Sequence, residues 1–306
     1  MILDFTNGGA SIYDNKNVFK NLVKTINLQK VGNKEGAVVG ISMGGLVVRY
    51  GLVELENENY DHQIGTYITL DSPHQGANVP VGLQQIATNY PVNIALAIAD
   101  VFGDEGAKFL VEGQKSTAGK QMLKRYLGGD PASEFQSFMT DLAAKGHPSN
   151  CKKIAIINGA NDRTPQWNNP QEGDQIMWVN QIGLGIELKA WANKSGNNRV
   201  AYRKLSVIPT QWSTTSWDAN YSDNLMFDYA PGGRLLNKYP LANNFGKDFY
   251  CFVPVVSSLD IRSPENQNLY VVNNNEANLI ANNIIPFDDI YVRNTNSTHT
   301  LSLIHI

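Results

Sequence analysis

Apolar residues follow several rhythms along the chain, and the changes of rhythm mark the elements. Residues 14 to 29 place Val18, Phe19, Leu22, Val23 and Ile26 at helical spacing, with Asp14 as the expected N-cap. Glycines at 32 and 36 break that helix, and Ala37-Val38-Val39-Gly40-Ile41 follows as a continuous apolar run of strand length. A second helix is predicted from Met43 to about Glu56, then a strand with both faces apolar from Ile64 to Leu70. Ile2 to Phe5 reads as the end of a buried strand, closed by the turn Thr6-Asn7-Gly8-Gly9. Strands buried on both faces, alternating with helices, describe a parallel sheet covered on both sides.

The rhythm then changes. Residues 79 to 128 are helical and unusually apolar, Ser133 to Lys145 is a further helix, and Lys153 to Ile157 returns to the parallel strand pattern. Ile186 to Ala192 and Val200 to Ile208 alternate with period two around Gly196-Asn197-Asn198, which predicts an inserted antiparallel hairpin. Residues 209 to 250 read as aromatic loop, Tyr250 to Leu259 as a buried strand, Asn273 to Asn283 as helix, and Ile290 to Val292 as a last strand. The expected organisation is a core at 1–78, a helical cap and return helix at 79–150, a core strand and loop at 151–165, a β-rich insertion at 166–250, and a C-terminal core strand with its loop at 251–306.

Composition narrows the picture. The 306 residues, 42% hydrophobic, suffice for one sizeable core. A charged fraction of 17% is too low for a solvated disordered chain, and a net charge of -3 carries no broad footprint for nucleic acid. About a ninth of the residues are asparagine, a weak pointer to an exported or cell-surface protein. No apolar run approaches the roughly 18 residues that span a bilayer. Met1 to Phe5 offers no signal-peptide pattern. Cys151 and Cys251 leave room for one disulfide at most and lack the paired spacing of a zinc site.

The chemistry concentrates at Gly40-Ile41-Ser42-Met43-Gly44, a Gly-x-Ser-x-Gly pattern at the junction of a buried strand and a helix. That setting is what a nucleophile elbow requires. Gly40 and Gly44 are expected to let the backbone turn tightly beneath Ser42, lifting its hydroxyl to the helix N-terminus. There the macrodipole and the Met43 N–H favour a developing oxyanion. A tight turn with a capping serine is the plainer alternative.

The segment Gly40-Ile41-Ser42-Met43-Gly44-Gly45-Leu46-Val47-Val48-Arg49-Tyr50, followed by Leu70-Asp71-Ser72-Pro73-His74-Gln75-Gly76-Ala77, resembles the lipase and esterase branch of the serine α/β-hydrolases. It is most similar to lipase-like domains of large bacterial exported proteins. The resemblance is sharp over residues 36 to 82. It implies an α/β-hydrolase-like, mostly parallel sheet with a helical cap and an inserted antiparallel β subdomain. Such enzymes carry three strands before the position of Ile2, so the N-terminal strands are expected to be missing, together with the loop that gives the second oxyanion N–H. The chain is then expected to be a fragment of a longer protein, with attachment to further domains.

The resemblance also implies hydrolysis of an ester or lipid substrate without a cofactor. Ser42 would attack, a histidine would act as base and then acid, and a carboxylate would orient it. In this fold the histidine follows the last strand, which points to His299 among the histidines at 62, 74, 147, 299 and 305. His74 is normally structural in such lipases, His305 lies at the chain end, and His62 and His147 sit in polar, surface-like segments. Three acids stay open, in this order: Asp162 in Gly159-Ala160-Asn161-Asp162, Asp71 at the end of the neighbouring strand, and Asp288 shortly before His299. No clustered carboxylate loop suggests calcium. Two other functions remain beside ester hydrolysis: acyl transfer to an alcohol, and an inactive hydrolase-fold module serving binding or adhesion.

Overall fold

The computed structural model describes residues 1–89, 112–160, 164–181, 185–208, 211–223, 225–236, 245–246, 249–261 and 276–293. A four-stranded parallel sheet forms the base. Its strands are β1 (Gly36–Ile41), β2 (Ile64–Leu70), β3 (Lys152–Ala160) and β11 (Asp289–Arg293), in the order β1-β2-β3-β11. Because all pairings are parallel, the C-terminal ends of the four strands share one edge. That edge carries Ser42 and Asp71.

Helix α1 (Ile12–Gln29) begins two residues before the expected start, and Ser11 rather than Asp14 caps it. The Asp14 amide donates to Ser11 Oγ, and the Ser11 hydroxyl donates back to the Asp14 carboxylate at 2.6 Å. Helix α2 (Met43–Asn57) is buried on nearly all sides, with α1 packed along it. The predicted strand at Ile2 to Phe5 does not form. Ile2 is 95% exposed, while Leu3 and Phe5 lean their side chains on the α1 and α2 cluster without backbone pairing. Among the described residues β1 pairs with β2 alone, leaving Val39 55% exposed.

Of the region expected to form a cap, the described parts are α3 (Val81–Thr88), a 3-10 turn at Gly113–Lys115 and α4 (Thr117–Met122). Residues 90–111, the most apolar part, lie outside the described residues. Helix α5 (Ser133–Lys145) follows the sequence reading and packs Phe138 against Tyr13 and Tyr50 at ring separations of 5.5 and 6.3 Å.

The insertion is larger than the sequence suggested. Strands β4 (Gln175–Gln181), β5 (Ile186–Trp191), β6 (Gly196–Ile208), β7 (Gln211–Tyr221) and β9 (Phe245–Gly246) form an antiparallel sheet in the order β7-β6-β5-β4-β9. The β5–β6 hairpin is as expected, except that Gly196 to Asn198 already belong to β6 and the connection is 192–195. Strand β7 was missed because Trp212-Ser213-Thr214-Thr215-Ser216-Trp217 is polar at most positions. It is an edge strand whose outer row faces water.

A second difference concerns Tyr250 to Leu259. Strand β10 (Phe249–Pro254) pairs antiparallel with β8 (Gly232–Leu236), not with the parallel sheet, and stops at Pro254. Proline lacks the N–H to continue a ladder and suits a helix start. There helix α6 (Val255–Ser258) begins, and helix α7 (Glu276–Ala281) precedes β11. The β8–β10 pair sits over the C-terminal end of β3, where a methyl on Gly159 would lie 2.9 Å from the Gly232 Cα.

Phe138 is fully buried at the centre of the α1, α2 and α5 cluster. Phe138→Ala is expected to lower the unfolding free energy by about 3–5 kcal/mol, read as a shifted urea midpoint at unchanged slope. A loss below about 1 kcal/mol would mean that this helical layer is not tightly packed.

Candidate active site

Ser42 terminates β1 and caps α2 with φ 50° and ψ −122°, a backbone conformation that costs a non-glycine residue about 1–3 kcal/mol. The surroundings enforce it. The Ser42 amide donates to the Leu70 carbonyl at 2.8 Å, continuing the β1–β2 ladder, while the Gly45 amide already donates to Ser42 O at 3.0 Å as the first turn of α2. Strand and helix therefore meet within one residue. A methyl on Gly40 would lie 2.5 Å from the Gly45 Cα, and one on Gly45 would lie 2.6 Å from Ser72 Cβ. Gly44, expected to be the second steric requirement, has open space around its Cα. The close approach is thus between Gly40 and Gly45. Tyr67 donates its hydroxyl to Gly45 O at 2.6 Å, and Ser72 Oγ donates to Gly40 O at 3.3 Å, so β2 clamps the turn from below. Met43 is the first residue of α2, where backbone N–H groups have no intrahelical partner.

Asp71 lies beside this turn. Ile41 pairs with Leu70, so Ser42 and Asp71 are level on neighbouring strands, with backbones about 5 Å apart. Asp71 is 1% exposed and holds φ 47°. Asn158 Nδ2 donates to one carboxylate oxygen at 3.3 Å and Ser258 Oγ to the other at 3.3 Å, while the Asp71 amide donates to Ile156 O at 2.8 Å. Gly233 closes the other side; a methyl there would lie 2.9 Å from the Asp71 Cγ.

The remaining candidates separate on geometry. Asp288 lies at the opposite end of the sheet: its amide donates to Lys153 O at 2.9 Å, its carboxylate accepts from the Lys153 amide at 2.7 Å, and its side chain is 48% exposed. Four residues along the strands and three strand spacings separate it from Ser42, about 13 Å and about 14 Å. A carboxylate there cannot orient a histidine that reaches Ser42. Asp162, His299 and His305 lie outside the described residues.

His62 and His147 are not the surface residues expected. His62 is buried, with Nδ1 accepting from the Ile64 amide at 3.0 Å and Nε2 at 3.3 Å from Glu56. His147 Nε2 lies 2.7 Å from Asp260 Oδ2. Asp260 was not singled out in the sequence, yet it anchors the base of the site. It pairs at 3.0 Å with Arg49, both side chains being 0% exposed. Arg49 also donates to the carbonyls of Leu142 and Gly146, and its Nη1 lies 3.4 Å from His74 Nδ1. Arg49 sits two turns along α2 from Ser42, so this cluster ties α2 to α5 and to the chain after α6. The signal in the sequence was an arginine inside the otherwise uncharged run Leu46 to Val53.

Both cysteines are buried and free, so the disulfide does not form. Burial pushes the Cys151 thiol up to about 11 and, with Asp71 and Asp228 adding to it, raises Cys251 strongly; neither is a nucleophile near neutral pH. Among the described residues no group of three or more His, Cys, Asp or Glu could hold a metal, and no helix is long and apolar enough to cross a membrane.

A strained serine between a parallel strand and a buried helix, with a buried carboxylate level with it on the next strand, defines a lipase-like α/β-hydrolase fold. Residues 10–101 match the family model described as lecithin:cholesterol acyltransferase. Two solved structures are similar: Bacillus licheniformis lipase BlEst2 in mature form (18% identity, TM-score 0.31, 49% of this chain and 49% of that one) and in propeptide form (20% identity, TM-score 0.28, 49% and 27%). The chain thus spans about half the length of the mature lipase. No curated protein matches the sequence.

Breaking the Arg49–Asp260 pair from one side leaves a buried charge uncompensated. Arg49→Leu alone is expected to cost about 3–5 kcal/mol of stability, and the double change Arg49→Leu with Asp260→Leu less than the sum of the singles. Additive losses in chemical denaturation would contradict direct coupling.

Proposed function

We propose that the chain is a carboxylic-ester hydrolase of lipase type that works through an acyl-enzyme on Ser42. The observation that carries this reading is the backbone of Ser42. A non-glycine residue held at φ 50° by a turn with no room for side chains at Gly40 or Gly45 is strain maintained at one hydroxyl. In the proposed mechanism Ser42 Oγ attacks the ester carbonyl as His299 takes its proton. The Met43 amide donates to the oxyanion, the protonated imidazole then returns the proton to the leaving alcohol, and water repeats the cycle to release the acid.

Chain reach supports the assignment of His299. Val292 is level with Ile157 on β3, at the height of Asp71 and Ser42 and three strands from β1, about 14 Å across. Seven residues onward the chain can span up to about 24 Å, so position 299 is within reach of Ser42. For the acid, we favour Asp71 over Asp162. Asp71 stands on the strand next to the nucleophile, and its carboxylate is already held by two side-chain donors, as an orienting group must be. The acyltransferase description of the matched family favours a second reading, transfer of the acyl group to an alcohol instead of water.

The test is hydrolysis of a soluble short-chain ester. Ser42→Ala and His299→Ala are expected to abolish activity, and Asp71→Asn to lower kcat by about ten-thousandfold while Asp162→Asn leaves it within about tenfold. The reverse order would make Asp162 the acid; an active Ser42→Ala variant would overturn the mechanism. Adding a primary alcohol separates the readings, because a transferase diverts the acyl group to a new ester.

A further inference from the structure

We propose that the outer face of the antiparallel sheet binds acidic oligosaccharides. Strand register defines that face. Met177, Val179, Leu188, Ala190 and Ala201 belong to one core cluster, so the residues that alternate with them point away from that core. Across β4 to β7 these are Trp178, Lys189, Tyr202 and Ser216 in one row, with Asn180, Glu187, Lys204 and Thr214 level in the next. Trp212, opposite Ser206 on the edge strand, continues the same face and is 49% exposed. Trp178 and Tyr202 stand two strand spacings apart, about 10 Å, and Trp212 lies about 14 Å from Tyr202. Among the described residues none of the three rings packs into a hydrophobic cluster.

The chemistry of this face selects the ligand. Flat rings separated by hydroxyl, amide and charged side chains offer apolar surface to the C–H faces of sugar rings and hydrogen-bonding groups to their hydroxyls. The lysine amines lie against the rings: Lys189 is 5.8 and 5.5 Å from the centres of Trp178 and Tyr202, and Lys204 is 4.5 Å from that of Trp212. Glu187, level with Lys204, is drawn to Lys189 at 2.9 Å, which leaves Lys204 without a carboxylate in ion-pair contact among the described residues. A cation beside a half-exposed indole matches a sugar that carries a negative charge. A lipid surface is a poorer match, because adsorption there draws on aliphatic as well as aromatic side chains, and none of these outward residues is aliphatic. Ser42 stands on the other sheet, so this surface does not depend on the hydrolase reading.

Calorimetry of the full chain with hexagalacturonate, which carries carboxylates, and with a heparin hexasaccharide, which adds sulfates, tests the surface directly. Saturable binding of at least one is expected, with the neutral cellohexaose weaker by about tenfold or more. Trp212→Ala and Lys204→Gln should each weaken the acidic ligand by about tenfold, and Lys204→Arg should retain it. Thermal melts verify that the variants are folded, and Lys204→Gln decides the matter if Trp212→Ala is not. Binding to phosphatidylglycerol vesicles but to neither acidic oligosaccharide would assign the face to lipid and overturn the proposal. Saturable binding of neither, equal binding of cellohexaose, or an affinity unchanged in a folded Trp212→Ala or Lys204→Gln protein would overturn it as well.

Discussion

The structure turns on one close approach, the contact of the Gly40 and Gly45 backbones beneath Ser42. Strand β1 must end and α2 begin within a single residue, which is possible only where neither glycine carries a Cβ and Ser42 accepts a left-handed φ. The strain is repaid by what surrounds it: the Leu70 carbonyl, the Tyr67 hydroxyl and Ser72 each fix one side of the turn. All three come from β2 or the residue pair after it. The same strand delivers Asp71, so the conformation of Ser42 and the position of its neighbouring carboxylate are two results of one strand pairing.

The buried Arg49–Asp260 pair extends that logic from the turn to the layers around it. An ion pair with no exposed surface is weak support for net stability, because desolvation opposes the Coulomb gain, but it specifies one arrangement. Here it specifies that α2, α5 and the chain after α6 meet at one point below the edge that carries Ser42 and Asp71. Ser258 at the end of α6, two residues before Asp260, and Gly233 of β8 both stand against Asp71. Through Gly233 the β-rich insertion forms part of the wall around Asp71.

What was legible in the sequence was local. The elbow, α2, β2 and α5 are each written in contiguous residues whose period and glycines determine the backbone. The acid was left among three residues because the choice depends on strand level, which only the pairing register supplies; that register removes Asp288. Arg49, His147 and Asp260 were opaque for the same reason, since Asp260 lies 113 residues from His147 and their meeting is purely tertiary. Strand β7 was hidden by its polar composition, and Ile2 to Phe5 misled because apolar residues that pack by side chain alone look like a strand.

The central claim is that the strain at Ser42 maintains a reactive hydroxyl. Reaction of the folded protein with a fluorophosphonate, located by peptide mass spectrometry, tests it most directly. The account expects stoichiometric modification at Ser42, lost on heat denaturation and absent in Ser42→Ala. A folded protein that leaves Ser42 unmodified would contradict it.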